Sequence, residues 1–144
     1  MRLAATLLLL TTFSCHTAFD GTDTGLHVEI NVIRTSVHVG EMVPVKVTNR
    51  SATPIFVWFS CPPALERLSG ETWQRYESPM LCTADAPPPM RVEPGNWIDS
   101  SIATAYRNDV YLQPGTYRRI FTIDGPNRQA STYSSREFTV EPAP

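Results

Sequence analysis

Apolar and polar residues alternate along the chain with a period of two from Leu26 onward. Every second residue from 26 to 32 is apolar, and Val43, Val45 and Val47 repeat the pattern. A period of two puts alternate side chains on opposite faces of a β-strand. The two segments therefore predict two half-buried strands. Because Pro44 has no N–H for a ladder, we expect the second strand at a sheet edge or bulged.

A continuous apolar run, Ile55 to Phe59, lies between Pro54 and the segment 61–63, which reads Cys-Pro-Pro. The run is too short for a helix and is typical of a strand that is buried on both faces. The sequence therefore predicts a central strand here, with Trp58 in the core.

Turn signals separate the remaining strand-like segments. Residues 64–68 and 72–76 flank Ser69-Gly70-Glu71, which predicts a hairpin, and Pro-Gly pairs at 94–95 and 114–115 each precede further strand residues. A last strand is predicted from Thr132 to Val140. With no helical period anywhere, the pattern predicts an all-β chain that folds as an antiparallel sandwich of about seven to eight short strands.

The N-terminal leader has one Arg at position 2, a Leu-rich run and a small residue, Ser14, before Cys15. This pattern resembles a bacterial lipoprotein signal, in which the cysteine is acylated and becomes the mature N-terminus. We therefore expect a signal peptide over 1–14, a flexible tether over 15–25 and one domain over 26–144. The apolar stretch is well short of the ~20 residues that span a bilayer. The alternative is a secretory peptide cut after Ala18, although His16 departs from the small-residue pattern of such sites.

Export determines how the two remaining cysteines are interpreted, because thiols outside the cytoplasm oxidise. We expect a disulfide between Cys61 and Cys82, worth about 3 kcal/mol on the chain-entropy model. Their spacing matches no zinc motif, and no histidine lies near either cysteine.

The charge and the inventory of reactive side chains narrow the function. The net charge is −2, and loss of Arg2 with the leader makes it about −3, so no basic surface for nucleic acid is predicted. The three histidines fit no catalytic or metal motif, and glycines occur at turns rather than in a phosphate loop. The sequence predicts no catalytic residue, no metal site and no cofactor, and hence a protein that is not an enzyme.

The segment 112–117, Leu-Gln-Pro-Gly-Thr-Tyr, resembles the tyrosine corner of immunoglobulin-like folds, with Tyr117 at the start of the penultimate strand. Antibody domains carry a cysteine two residues later, where this chain has Arg119. Together with 47–51, 65–67, 70–73, 92–95 and 137–140, the segment is similar to a family of bacterial immunoglobulin-like domains in secreted and lipid-anchored proteins. The resemblance implies an immunoglobulin-like sandwich and carries no general activity.

Aromatic residues beside arginines suggest a binding surface on the predicted hairpin, because Trp, Tyr and Arg are enriched at interfaces. The candidate residues are Trp73, Tyr76, Arg67 and Arg75. We expect a lipid-anchored interaction or structural module of the cell envelope, periplasmic or at the cell surface. Its expected partners are the membrane, through Cys15, and an envelope protein or glycan.

An extracytoplasmic protease inhibitor is the alternative. Bacterial inhibitors with immunoglobulin-like folds exist, and the Pro-rich loop from Ser60 to Met90 could present a rigid segment to an active site. Inhibitors of the chagasin type carry NPTTG-like and RPW-like loops, and this sequence has neither.

Overall fold

A computed structural model describes residues 25–77, 87–106 and 110–144 of the chain. Within these residues the chain forms thirteen strands. They are β1 (Val28–Val32), β2 (Ser36–His38), β3 (Met42–Asn49), β4 (Ile55–Trp58), β5 (Leu65–Ser69), β6 (Thr72–Tyr76), β7 (Met90–Val92), β8 (Trp97–Ala103), β9 (Ala105–Tyr106), β10 (Val110–Tyr111), β11 (Gly115–Asp124), β12 (Ala130–Ser134) and β13 (Phe138–Glu141).

Two sheets make up the body of the domain. The smaller has the order β1–β3–β8, and the larger runs β2–β13–β11–β4–β7, with β12 also pairing β11 and with the β5–β6 hairpin paired to β11 through β5. Strands β9 and β10 form a separate two-stranded ladder. The β2–β13 pair is parallel and the other described pairs are antiparallel. The fold is an immunoglobulin-like β-sandwich, as the sequence predicts.

The core lies between the two sheets and follows the period of two. On β3, Val43, Val45 and Val47 are almost fully buried, while the residues between them face outward. The larger sheet contributes to the same cluster from six strands, with residues Val37, Ile55, Val57, Leu65, Val92, Tyr117, Phe121, Ile123, Phe138 and Val140. Burial of these apolar side chains is the main stabilising contribution to the sandwich.

Strand β11 is the longest strand of the larger sheet, and on each side of it the pairing with the neighbouring strands is interrupted by extra residues. On one side of β11, Trp58 of β4 lies opposite Thr122, and Leu65 of β5 lies opposite Arg119. The chain advances seven residues from Trp58 to Leu65, while β11 covers the same distance in three. The extra residues form the loop that separates β4 from β5. A smaller bulge at Ser135 separates β12 from β13. The bulge divides the predicted last strand, Thr132 to Val140, into β12 and β13. The short strands β2, β7, β9 and β10 were not predicted, and together these differences raise the number of strands above seven to eight.

Pro44 lies in a central strand, so the predicted edge position of β3 is wrong. The Pro44 carbonyl accepts a hydrogen bond of 2.9 Å from the N–H of Ile33. The nitrogen of a strand residue faces the same side as its carbonyl, so the nitrogen of Pro44 also faces β1, whose pairing with β3 ends at Val32. Proline is tolerated here because no carbonyl in the β1 ladder requires a hydrogen bond from the nitrogen of residue 44.

Trp58 is not a core residue, so this prediction is also wrong. Its side chain lies on the outer face of the larger sheet and is 41% exposed, and its indole Nε1 donates a 2.8 Å hydrogen bond to Oδ2 of Asp124. Ile55 and Val57 fill the core from the opposite face of the same strand. A continuous apolar run thus proved to be an alternating strand with two large apolar residues on its outer face.

The β5–β6 hairpin forms as predicted, with Ser69 opposite Thr72 across a two-residue loop. Gly70 has a φ of 62° and the following Glu71 has no positive φ. A positive φ at the first loop residue alone is the pattern of a type II′ turn, which matches the twist of the flanking strands. Glycine adopts this positive φ without steric cost, and the two-residue turn fixes the register of the hairpin.

Candidate binding surfaces

Tyr117 lies fully buried at the start of β11 and fastens the preceding loop. Its hydroxyl donates a hydrogen bond of 2.7 Å to the backbone carbonyl of Gln113. The guanidinium of Arg67 lies 5.8 Å from the centre of the Tyr117 ring and donates to the Pro114 carbonyl at 2.8 Å. A Cβ at Gly115 would approach the Arg67 Nε to 2.8 Å, so glycine leaves room for this side chain. The arrangement has the geometry of a tyrosine corner.

Two of the four predicted surface residues belong to this corner. Arg67 bonds the loop, and the Tyr76 ring packs edge-on against Tyr117 with ring centres 5.3 Å apart. The Phe138 ring stacks on Tyr117 from β13 at 5.9 Å. Arg67 and Tyr76 are half-buried and lie on the inner side of the hairpin. They therefore support the fold and do not share a face with Trp73 and Arg75.

Trp73 and Arg75 lie on the outer side of the hairpin, beside three residues that the sequence analysis missed. The Arg118 guanidinium stacks 4.5 Å from the centre of the Trp73 ring, and its Nε donates to Oε2 of Glu66 at 2.6 Å. Leu68 lies opposite Trp73. We call Glu66, Leu68, Trp73, Arg75 and Arg118 the hairpin face.

The ion pair on the hairpin face is shielded more than an ordinary surface pair. The side chains of Arg118 and Glu66 are 30% and 27% exposed, whereas those of Arg75 and Glu77 are 83% and 87% exposed. Partial burial and a ring on one side restrict the Arg118 side chain before any ligand arrives. Sequence reasoning missed this residue because its partners come from two other strands.

Arg119 faces the interior at the position where antibody domains have a cysteine. Its side chain is almost completely buried, and Nη1 donates to Oγ of Ser100 at 2.9 Å and to the Ser101 carbonyl at 3.3 Å. The guanidinium lies 4.6 Å from the Phe121 ring centre and 5.7 Å from that of Phe59. Arg119 therefore connects β11 of one sheet to β8 of the other through hydrogen bonds instead of a disulfide.

An open groove of about 650 Å³ lies where β2 meets β13, a volume in the usual range of ligand sites. The residues that line it are all of polar or charged type, and the Ser36 hydroxyl donates a hydrogen bond to Oε1 of Glu141 inside it. The lining residues are Thr35, Ser36, Arg136, Glu137, Thr139 and Glu141. Strand β13 connects this groove to β11, which carries Arg118 of the hairpin face.

The outer face of the smaller sheet exposes Trp97. Trp97 is 54% exposed, and the Nζ of Lys46 lies 4.8 Å from its ring centre. Ile33 and Met42 are also exposed, beside Pro44 toward the other end of this face. The two tryptophans, Trp73 and Trp97, therefore lie on opposite sides of the sandwich.

Two glutamates near strand ends have pKa values lowered by hydrogen bonds. The backbone N–H of His38 donates to Glu41 at 2.8 Å and lowers the pKa of that carboxyl. The side-chain amide of Asn31 and then the guanidinium of Arg50 lower the pKa of Glu29. Both side chains are partly exposed to solvent, Glu29 on β1 and Glu41 just before β3.

Other predicted features fall partly or wholly outside the described residues. Cys61 lies in the loop after β4, but Cys82 and the lipidation residue Cys15 are outside, and the disulfide and the anchor stay predictions. The same holds for the signal peptide and nearly all of the tether, and for 78–86 within the loop of the inhibitor hypothesis. The described part of the chain has no helix long and apolar enough to cross a membrane, and it groups no three His, Cys, Asp or Glu residues as a metal site.

Comparison with protein-family models gives no match, and comparison with curated protein sequences gives none either. Among solved structures, the chain is similar to the ASH/PapD-like domain 7 of human CEP192, with 11% identity, a TM-score of 0.44, and coverage of 99% of this chain and 98% of that chain. It is also similar to part of a β-glucosidase from Listeria innocua, with 13% identity, a TM-score of 0.37, and coverage of 82% of this chain and 16% of that chain. Part of the Pseudomonas fluorescens alkylpurine DNA glycosylase AlkC is similar at 13% identity and a TM-score of 0.34, with 79% and 30% of the two chains covered. No activity is transferred from these likenesses.

Proposed function

We propose that this chain is a lipid-anchored binding module of the bacterial cell envelope and that it acts through the hairpin face. The lipoprotein-like leader supports the anchor at Cys15, and the tether would hold the sandwich away from the membrane. A rigid sandwich presenting one strand pair on its outer face is well suited to a binding role.

The observation that carries the proposal is the clamped position of Arg118. Its guanidinium is held on one side by Glu66 at 2.6 Å and lies over the Trp73 ring at 4.5 Å. Trp and Arg are the residue types that contribute most binding energy at interfaces, and side chains fixed in advance lose less entropy when a ligand binds. The hairpin face thus offers an aromatic surface and a fixed cation at one place.

Capture experiments on envelope extract test the role of this face. The domain would be immobilised as wild type, Trp73→Ala and Trp97→Ala, and the material retained by each would be compared. We expect wild type and Trp97→Ala to retain the same partner and Trp73→Ala to lose it. Trp97 is the matched control, because it is an exposed tryptophan on the other sheet. Equal retention by all three variants would contradict a binding role for the hairpin face.

Fractionation of cells tests the anchor separately. Wild-type protein should sediment with membranes and carry an acylated N-terminus at Cys15, whereas Cys15→Ala should be released or remain unprocessed. A freely soluble wild-type protein beginning at Phe19 would show that the leader is an ordinary secretory peptide.

A further inference from the structure

A continuous row of side chains crosses the outer face of the larger sheet from the β2–β13 groove to the hairpin face. Ser36 lies opposite Thr139, and Thr139 lies opposite Thr116. Because Tyr117 pairs with Arg67, the next residue of β5, Leu68, lies beside Thr116, and Leu68 in turn lies opposite Trp73. Five strands thus contribute one residue each, over roughly 19 Å at the usual strand spacing.

The row changes in chemistry from one end to the other. Three hydroxyl side chains at the groove end are followed by Leu68 and then by the Trp73 ring. Hydroxyls both donate and accept hydrogen bonds, and the indole offers a flat apolar surface. A ligand matching the whole row has apolar surface at one end and many hydroxyl-like groups along its length.

The charges that flank the row are of both signs. Arg75, Arg118 and Arg136 lie along it together with Glu66, Glu77, Glu137 and Glu141, and Arg75 is paired with Glu77 at 3.5 Å. Arg118 is already paired with Glu66 at 2.6 Å. With three cations and four anions among these residues, the surface has no excess of positive charge that would select an acidic ligand. Such side chains can still exchange hydrogen bonds with a neutral one.

From this arrangement we infer that the row binds an uncharged polysaccharide strand, lying across the β-strands from the groove to Trp73. A pyranose ring exposes C–H groups on its faces and hydroxyls around its rim, so it can pack on the part of the indole that Arg118 does not cover and bond to the hydroxyl and carboxylate side chains. The inference rests on the proposed function of the hairpin face and names the chemical class of its ligand.

The row fits a protein partner less well. Stable protein interfaces bury about 800 Å² on each partner around an apolar, aromatic-rich core. Here the apolar residues in the row are Leu68 and Trp73, which are both half-buried, and the remainder is polar. A narrow polar strip with one aromatic end suits a thin, hydroxyl-rich chain.

Affinity electrophoresis of the purified domain tests the inference, with soluble derivatives of cellulose, chitin and laminarin each cast in a native gel. We expect at least one of these neutral polysaccharides to retard the wild-type domain. Trp73→Ala should raise the dissociation constant roughly tenfold or more, and Thr139→Val at the groove end should also weaken binding. Trp97→Ala should bind like wild type. Thermal unfolding of every variant would verify that it is folded.

Three results would overturn the inference: no retardation by any neutral polysaccharide, retardation only by an acidic polymer such as polygalacturonate, or retardation that Trp73→Ala leaves unchanged. The capture experiment keeps the two proposals separable. If Trp73 is needed to capture a protein from envelope extract while no polysaccharide binds, the ligand class is wrong and the binding face stands. If neither assay depends on Trp73, both proposals fail.

Discussion

Removing the Tyr117 hydroxyl should lower the free energy of unfolding by about the contribution of the hydrogen bond that this hydroxyl makes. The lost bond is the 2.7 Å contact to the Gln113 carbonyl. The acceptor belongs to Gln113, an exposed loop residue, whereas Tyr117 itself is fully buried. The cost of Tyr117→Phe should be that of one hydrogen bond, about 1 kcal/mol, with more lost if the Gln113 carbonyl is left buried without a partner.

Removing the whole ring should cost much more. Tyr117 is fully buried between Tyr76 at 5.3 Å and Phe138 at 5.9 Å. Tyr117→Ala leaves a cavity that these rings cannot fill without moving, so the expected loss is about 3–5 kcal/mol. For a domain of this size each kcal/mol lowers the thermal midpoint by roughly 4 °C.

Urea unfolding followed by tryptophan fluorescence would measure both changes. Tyr76→Phe is the matched control, because Tyr76 packs in the same cluster and its hydroxyl has no hydrogen bond within the described residues. We expect Tyr117→Phe to lose about 1 kcal/mol more than the control. Equal losses in the two variants would refute the tyrosine-corner argument. Unchanged stability of Tyr117→Ala, with binding selectively lost, would instead make Tyr117 an interface residue.

Four further changes test other parts of the structure. Asn49→Asp, at a fully buried amide that donates to two backbone carbonyls, should cost about 3 kcal/mol or more in urea unfolding, because both donors are lost; a loss below about 1 kcal/mol would contradict this. Arg119→Ala should lose about 3 kcal/mol and Arg119→Met less, since methionine refills the volume; equal losses would show that the hydrogen bonds between the sheets dominate. Thiol labelling of exported protein should find Cys61 and Cys82 blocked, and two reactive thiols would exclude the bridge. Because the pKa of Glu41 is lowered in the folded state, its stabilisation is present above the usual glutamate pKa of about 4.3 and is lost as the pH falls through the lower folded value; the melting temperature of Glu41→Gln should fall less between neutral and acidic pH than that of wild type, and parallel curves would refute the contribution.

The strands and turns of this protein were largely readable from local sequence. Val43, Val45 and Val47 identify one buried face without any knowledge of the partner strand, because side-chain direction in a strand alternates by geometry. Gly70 and the segment ending at Tyr117 mark a hairpin and a strand entry by the backbone that they favour. These signals depend on residues adjacent in sequence, and they gave the correct fold class.

The side of the sheet on which a residue lies could be read only where the pattern alternates. Trp58 lies in a continuous apolar run, and such a run does not show which face of the sheet each side chain occupies. The outward position of Trp58 follows from its pairing with β11 and from its hydrogen bond to Asp124. Pro44 misled the prediction for a similar reason, because its tolerance depends on where a different strand ends.

The sequence by itself therefore determined the strand period, the turns and the types of residue available for binding, since each is encoded within a few neighbouring positions. Only the tertiary structure decided how these residues combine. It moved Arg67 and Tyr76 into the support of Tyr117 and brought Arg118 onto Trp73 from a strand far along the chain. The register between strands distant in sequence fixes which side chains share a face, and in this chain that register follows from the packing of the whole core.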